Sequence, residues 1–269
     1  MSKINKVFRN SFIILILVLT YIPLIFALIF SFNKPTDKGY VPTSWNGFTI
    51  SNWTTFFNES RDIALINSVI IAISVILIVI PLSLITVFAL WRQKNKLPET
   101  VVKTTYNIPL INPEVITAIS LIITFSAMGI TLSYKSEGML RAIFGHVIIS
   151  LPYCISIMYP ASEKFNKNQF EASQDLGYSK IRSWFKLYLT HMIPSIIFSS
   201  TISIFFSFDD FIVTRLLSNT STLGTKLYEG VFRTWGLVVG ATLMIITLIG
   251  SVIFTIVKTK KTQKIKKSV

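Results

Sequence analysis

Residues 68–91 read SVIIAISVILIVIPLSLITVFALW and contain no charged side chain. A helix needs about 20 consecutive, mostly apolar residues to cross the hydrocarbon core of a bilayer. The composition agrees, because 51% of the 269 residues are hydrophobic and only 14% are charged, whereas soluble domains carry about 25% charged residues. The stretch therefore predicts a membrane-spanning helix, and the composition argues against a soluble globular protein.

Further apolar segments flank this helix on both sides. Glu114, Arg141 and His146 interrupt two of them, and no internal repeat or change in composition marks a second, soluble domain. The predicted spans are residues 11–32, 68–91, 113–132, 140–159, 187–208 and 236–257. The sequence thus predicts an all-α polytopic membrane protein with six transmembrane helices, organised as a single domain over residues 1–269.

Positive charge is distributed unevenly among the segments that connect the spans. The chain has 26 Lys and Arg against 12 Asp and Glu, and the positive residues concentrate before span one, after spans two and four, and in the tail 258–269. Because Lys and Arg accumulate in cytoplasmic segments, both termini are expected in the cytoplasm. The basic tail is interpreted as an anchor that attracts anionic lipid headgroups, and nucleic acid is not expected as a partner.

Motifs of enzymes and metal sites are missing from the sequence. It contains no GxxxxGK[ST], HExxH or GxSxG pattern. The two histidines, His146 and His191, lie in different segments without an acidic or cysteine ligand at metal spacing. Cys154 is the single cysteine, which excludes an intramolecular disulfide. We therefore expect a non-catalytic chain with no metal or cofactor of its own.

The connection between the first two spans is rich in aromatic residues. Residues 33–62 hold Trp45, Phe48, Trp53, Phe56 and Phe57 on the predicted outer side. Two interpretations stay open for this loop: an aromatic belt at the membrane interface, or a docking surface for an external partner.

The cytoplasmic loop between spans four and five reads KFNKNQFEASQDLGYSKIRSWFKLYLTHMIPS over residues 164–195. Asn168 is a candidate cap for a short helix, and Gly177 supplies a left-handed stop. A second helix is expected to start near Ser179, with apolar side chains at helical spacing. An amphipathic helix lying on the membrane is one interpretation. The small residues Ala172 and Ser173 favour the other, close docking into a partner surface.

This loop resembles the signature loop of binding-protein-dependent ABC-importer permeases, in which E-A-A is followed by three residues, a glycine and an apolar helix. The sequence departs from that pattern at Ser173, Leu187 and Thr190. The resemblance implies a type I ABC-importer permease fold, with residues 166–186 forming the cytoplasmic coupling loop that seats in a groove of an ATPase. The residues implied in that contact are Glu171, Ala172, Ser173, Asp175, Leu176 and Gly177.

Three other segments are similar to the C-type permease subunits of spermidine/putrescine importers: residues 45–49, 112–120 and 206–214. The resemblance implies a multi-pass protein of a bacterial plasma membrane that forms a polyamine path with a second permease subunit. A dimer of ATP-binding subunits would hold ATP and Mg, and an extracytoplasmic binding protein would deliver the polyamine. The alternatives are the same permease for ferric ion, thiamine or sulfate, or a stand-alone channel or ion-coupled carrier.

Glu114, Asp209 and Asp210 are the candidate residues of a cationic path. Carboxylates in apolar surroundings are costly unless they face a cavity or a partner, and several weak sites suit a moving polycation. For Glu114 the alternative is an ordinary helix start after Asn112 and Pro113. For the two aspartates the alternative is the solvated start of a loop.

Overall fold

The computed structural model describes residues 3–93, 100–102, 104, 114–128 and 138–267. These residues form helices and turns with no strand, apart from two isolated antiparallel bridges, Asn33–Phe48 and Tyr40–Arg233. The all-α prediction is confirmed. The helices are α1 Lys3–Phe30, α2 Ser51–Thr54, α3 Arg61–Arg92, α4 Glu114–Ala127, α5 Gly138–Glu163, α6 Lys167–Asp175, α7 Lys180–Ser183, α8 Leu189–Asp209, α9 Ile212–Leu217, α10 Leu223–Tyr228 and α11 Trp235–Lys267.

The apolar helices lie where the sequence predicts membrane spans. Among the described residues, three helices are long and apolar enough to cross a membrane: Arg61–Arg92, Gly138–Glu163 and Lys180–Asp209. Shorter apolar helices cover Val18–Phe30, Glu114–Ala127 and Trp235–Gly250. The number of spans and the side on which each terminus lies stay predictions.

The chain divides into two compact units, which are described separately. The first contains residues 1–62 and 227–269, and within it α11 packs along α1 and contacts α2. The second contains residues 63–226. Both candidate sites lie entirely in the second unit.

Arg61 organises the turn that precedes α3 in the first unit. Its buried guanidinium donates to the backbone oxygens of Thr55 and Phe56, each at 2.7 Å, and pairs with Glu59 at 2.8 Å. It also lies 5.3 Å from the ring centre of Trp235 at the start of α11. Glu59 has a left-handed backbone, with φ at 56°. The buried arginine thus satisfies backbone groups that this sharp turn leaves outside any helix.

In the second unit, α5 and α8 pack closely together along their length. Cys154 Sγ lies 3.7 Å from the Ser199 oxygen, and the rings of Tyr153 and Phe206 lie 4.7 Å apart. Ser203 is fully buried on the same face of α8. In a membrane the hydrophobic effect does not drive helices together, because lipid tails are as apolar as the side chains. Helix pairs there depend on close packing, which small residues allow. The α5–α8 pair is therefore held by close packing of small side chains.

One continuous helix, Lys180–Asp209, comprises α7, a π-helical stretch over Trp184–Tyr188, and α8. Stretches of π-helix are rare and frequently lie near functional sites. This helix joins the turn after α6 at one end to the Asp209–Asp210 pair at the other.

Candidate functional site

The short helix α6, which lies between α5 and α7, is delimited by local side-chain and backbone chemistry. The Asn166 side chain accepts a hydrogen bond from the Asn168 N–H at 2.9 Å, so the cap is Asn166 and the expectation of a cap at Asn168 is wrong. At the other end Gly177 has a φ of +86°. There the Tyr178 N–H donates to the Ser173 oxygen at 3.0 Å, an arrangement typical of glycine-terminated helices.

A second helix follows immediately, as the sequence predicts. The Ser179 hydroxyl accepts a hydrogen bond from the Arg182 N–H at 3.3 Å, and α7 begins at Lys180. Ile181 and Phe185 are exposed on this helix, while Tyr188 is fully buried. The helix therefore has one face toward the protein and one that is free for lipid or a partner.

Phe170 anchors α6 to the rest of the second unit. Its ring is 4% exposed and lies 5.6 Å from the ring of Trp91 and 5.9 Å from that of Phe88, both at the end of α3. Trp91 donates its indole N–H to the Phe165 oxygen at 3.0 Å, and Tyr188 packs 4.8 Å from Phe88. We did not predict this aromatic anchor from the sequence. Its only sequence signal is that aromatic residues cluster at the ends of two segments. The anchor consists of Phe88, Trp91, Phe165, Phe170 and Tyr188.

Ser173, which replaces the usual alanine, is buried between the two helices of the loop. Its Oγ lies 2.7 Å from the Phe170 oxygen and 2.6 Å from the Ser183 Oγ. One hydroxyl carries one hydrogen, so the consistent arrangement is donation from Ser173 to the Phe170 oxygen and from Ser183 to Ser173. The departure from the signature is therefore used to join α6 to α7.

The other residues implied in coupling lie on the exposed side of α6 and its C-terminal turn. Leu176 is 83% exposed, and Glu171, Ala172, Asp175 and Gly177 are exposed as well. An exposed leucine beside two carboxylates and a small residue can contact a groove of another protein. Of the six residues implied by resemblance, five share one surface and Ser173 lies beneath it.

The three acidic candidates are brought close together by the short helix α9. Glu114 is exposed at the start of α4, while Asn112 and Pro113 lie outside the described residues. Asp209 is exposed at the end of α8, and Asp210 is partly buried. Because α9 packs against α4 and α5, the Asp210 carboxyl lies within electrostatic range of both Glu114 and Asp209.

Asp210 accepts several hydrogen bonds from described groups of the protein. Its Oδ1 accepts from the Val213 N–H at 3.3 Å, and its Oδ2 accepts from the Thr214 N–H at 2.9 Å and the Thr214 hydroxyl at 3.3 Å. His146 Nε2 lies 3.0 Å from the Thr214 Oγ1 and 3.7 Å from the Asp210 Oδ2. The sequence places His146 in an apolar run without revealing this partner 68 positions away.

Metal ligation has no support in the described part of the chain, where no group of three or more His, Cys, Asp or Glu could hold an ion. His191, the second histidine, lies 3.0 Å from the Ala161 oxygen and packs against the ring of Phe165. Both histidines thus have protein partners.

Comparison with known proteins places these features in a family. A family model described as "Binding-protein-dependent transport system inner membrane component" matches residues 81–267. The spermidine/putrescine transport system permease protein PotC homolog of Mycoplasma genitalium is 32% identical over 266 residues, covering 94% of this chain and 92% of that protein. The spermidine/putrescine transport system permease protein PotC of Escherichia coli K12 is 26% identical over 84% of this chain and 83% of its own.

A solved structure agrees in fold. The chain matches, with a TM-score of 0.60 and 12% identity, a structure of a bacterial ABC transporter involved in the import of the acidic polysaccharide alginate, covering 96% of this chain and 98% of that one. At this identity the likeness concerns the fold alone. Together with the family match over most of the chain and the apolar helices, these relationships identify a membrane protein that belongs to the inner membrane components of binding-protein-dependent transport systems.

Proposed function

We propose that this chain is a non-catalytic permease subunit of an ATP-driven importer that carries polyamines across the plasma membrane. It pairs with a second permease, rests on a dimer of ATP-binding subunits that hold ATP and Mg, and receives polyamine from an extracytoplasmic binding protein. The observation that supports this best is the construction of α6. Buried Phe170 holds the helix from beneath, while Glu171 and Leu176 remain exposed for a partner.

The proposed topology has six spans with both termini in the cytoplasm, and the chain lends itself to a labelling test. Its single cysteine, Cys154, is buried, so introduced cysteines report against a low background. Lys38→Cys is expected to react with an impermeant thiol reagent in intact cells, and Lys164→Cys only after permeabilisation. Both positions are exposed. Labelling of Lys164→Cys in intact cells would overturn the topology.

The proposed mechanism is alternating access driven from the cytoplasmic side. ATP-dependent closure of the ATPase dimer displaces α6, which is fixed to α3 through Phe170 and to α7 through the Ser173–Ser183 hydrogen bond. The two permeases then rock, and the path opens outward to the binding protein. Hydrolysis returns the path to its inward-facing state, and this subunit performs no chemical step.

Polyamines are the proposed cargo because two kinds of observation agree. Relatives over most of the chain are named as spermidine/putrescine permeases. In addition, Glu114 and Asp209 are exposed carboxylates among apolar helices, and each lies within electrostatic range of Asp210. A cation held by a few separated carboxylates binds well enough to enter and weakly enough to leave.

The test is ATP-dependent uptake of labelled spermidine and putrescine by proteoliposomes that contain the whole complex with its binding protein. Glu171→Lys is compared with Glu229→Lys, which makes the same charge reversal at an exposed position of the first unit outside residues 33–62. Uptake by wild type and Glu229→Lys, with loss in an assembled Glu171→Lys complex, is expected. Wild-type uptake in Glu171→Lys would remove that residue from the coupling contact.

This assay distinguishes a wrong cargo from a wrong coupling mechanism. A wild-type complex that hydrolyses ATP in response to its binding protein but takes up neither polyamine would refute the cargo. A chain that transports polyamine without any ATPase subunit would instead refute the importer and favour a carrier or channel.

A further inference from the structure

We propose that the adjacent residues Asp209 and Asp210 have different roles: Asp209 contacts the cationic cargo, whereas Asp210, with Thr214 and His146, forms a buried joint that positions Asp209. The assignment rests on the proposed function for its cargo. The joint itself follows from contacts within the second unit and is testable without any cargo.

The first argument is that Asp210 has little capacity left for a cargo. Both of its carboxylate oxygens accept hydrogen bonds, from the N–H groups of Val213 and Thr214 and from the Thr214 hydroxyl. Bonds from backbone N–H groups to a carboxylate are charge-assisted and stronger than neutral ones. Three of the roughly four acceptor sites of this carboxylate are thus occupied by the first turn of α9, so its main role is at the start of that helix.

The second argument concerns His146, which extends the joint to α5. The Thr214 hydroxyl has a single hydrogen, and in this geometry it points to Asp210. The same oxygen therefore accepts from His146 Nε2, which lies 3.0 Å away and carries the hydrogen. His146 is only 2% exposed, so it cannot reach a path through the protein. It acts as a positioning residue through Thr214.

The third argument is that the backbone at Asp209 and Asp210 is confined from the opposite side. A Cβ added to Gly224 would lie 2.6 Å from the Asp210 carbonyl oxygen and 3.0 Å from that of Asp209. Only glycine permits this approach. The neighbouring Leu223 N–H donates to Ser68 Oγ of α3 at 2.8 Å, which holds the segment in place. The pair is thus fixed between α5, α9 and the segment of Gly224.

These contacts leave Asp209 with a fixed backbone and an exposed carboxylate. Through α9, the same joint sets the separation between Asp209 and Glu114 at the start of α4. A charge that is held in place stabilises a passing cation without the cost of reorganising the site. The joint therefore determines where the path presents its negative charge.

Asp209→Asn and Asp210→Asn form a matched pair, because they are adjacent, isosteric and identical in charge change. Maximal uptake rates of spermidine and putrescine are measured in the complex with saturating binding protein. Since Coulomb energy scales with cargo charge, Asp209→Asn should lower the spermidine-to-putrescine rate ratio by about threefold. Asp210→Asn keeps the Asp209 charge but places it less well, so it should lower both rates and reduce the ratio by less than Asp209→Asn does. A ratio changed by Asp210→Asn but not by Asp209→Asn would reverse the assignment and overturn the proposal.

His146 is tested by rescue. His146→Gln keeps an N–H donor where Nε2 lies and should retain most of the rate, whereas His146→Leu should resemble Asp210→Asn. In the double variant His146→Leu with Asp210→Asn, the loss should be smaller than the product of the single losses. If the loss in the double variant equals the product of the single losses, His146 is not part of the joint. Equal uptake rates for His146→Gln and His146→Leu would exclude it as well.

A readout without cargo separates this inference from the proposed function. The thermal midpoint of the purified complex should fall in Asp210→Asn and His146→Leu and stay within experimental error in Asp209→Asn. If the wild type transports no polyamine but this pattern holds, the joint stands and the cargo is wrong. If Asp209→Asn destabilises as much as Asp210→Asn, the joint is wrong.

Discussion

Phe170→Ala is predicted to release the short helix α6, the proposed coupling helix, while the remainder of the second unit stays folded. Phe170 and Ser173 are the buried residues of this nine-residue helix. Helices shorter than about 12 residues are marginal in water without tertiary contacts. The short helix therefore depends on the contacts that Phe170 makes with Phe88 and Trp91.

The size of the effect follows from the burial of the ring. Truncating a buried Phe to Ala costs about 3–5 kcal/mol, and each 1.4 kcal/mol changes an equilibrium constant tenfold. The lower value shifts the balance between docked and released α6 by roughly a hundredfold. A docked helix that is normally dominant would then be released for an appreciable part of the time.

Two measurements on the assembled complex check this prediction. Trypsin cleavage within residues 164–182, where several Lys and Arg are exposed, should accelerate, and ATP-driven uptake should fall in proportion to the released fraction of α6. Phe198→Ala is the matched control, because it removes the same ring from a side chain of α8 that is 56% exposed and lies outside residues 166–186. Wild-type cleavage and uptake in Phe170→Ala would refute the view that this ring anchors the coupling helix.

Three further changes test separate contacts, each by the thermal unfolding midpoint of the purified chain. Ser173→Ala should lower the free energy of unfolding by about 1–2 kcal/mol, because it leaves the buried Ser183 hydroxyl without its acceptor. The double variant Ser173→Ala with Ser183→Ala should be nearly neutral. Equal losses in the single and double variants would contradict the hydrogen bond between the two serines. Gly177→Ala should cost about 1 kcal/mol through its positive φ alone, since no atom lies near the added Cβ; a larger loss would indicate an unseen contact. Arg61→Gln should cost roughly 3 kcal/mol through its buried charged hydrogen bonds, against at most about 0.5 for exposed Arg233→Gln, and similar losses would refute a special role for Arg61.

The sequence was most informative where structure depends on neighbouring residues. The stop at Gly177 and the new helix at Ser179 were predictable, because left-handed backbone and side-chain capping act over three or four positions. The cap of α6 was misplaced by two residues because Asn166 and Asn168 are equally suited to capping. Nothing in composition decides between them; the geometry in which the Asn168 N–H meets the Asn166 side chain does.

Contacts between distant segments were not predictable in the same way. The apolar runs correctly indicated helices, but they contain no information about which faces meet. Trp91 and Phe170 lie in different predicted segments, and His146 finds Thr214 and Asp210 across 64 or more positions. These pairs depend on packing among three or more helices. The different environments of Asp209 and Asp210 likewise became visible only when α9 was in place.

The helix Lys180–Asp209 runs from the turn after Gly177 to the carboxylate of Asp209 at its far end. At 1.5 Å per residue its 30 residues span about 45 Å. A tilt of about 5° around the Lys180 end would therefore displace the Asp209 end by roughly 4 Å. One rod of this length can convert a small angular movement beside α6 into a much larger displacement at Asp209.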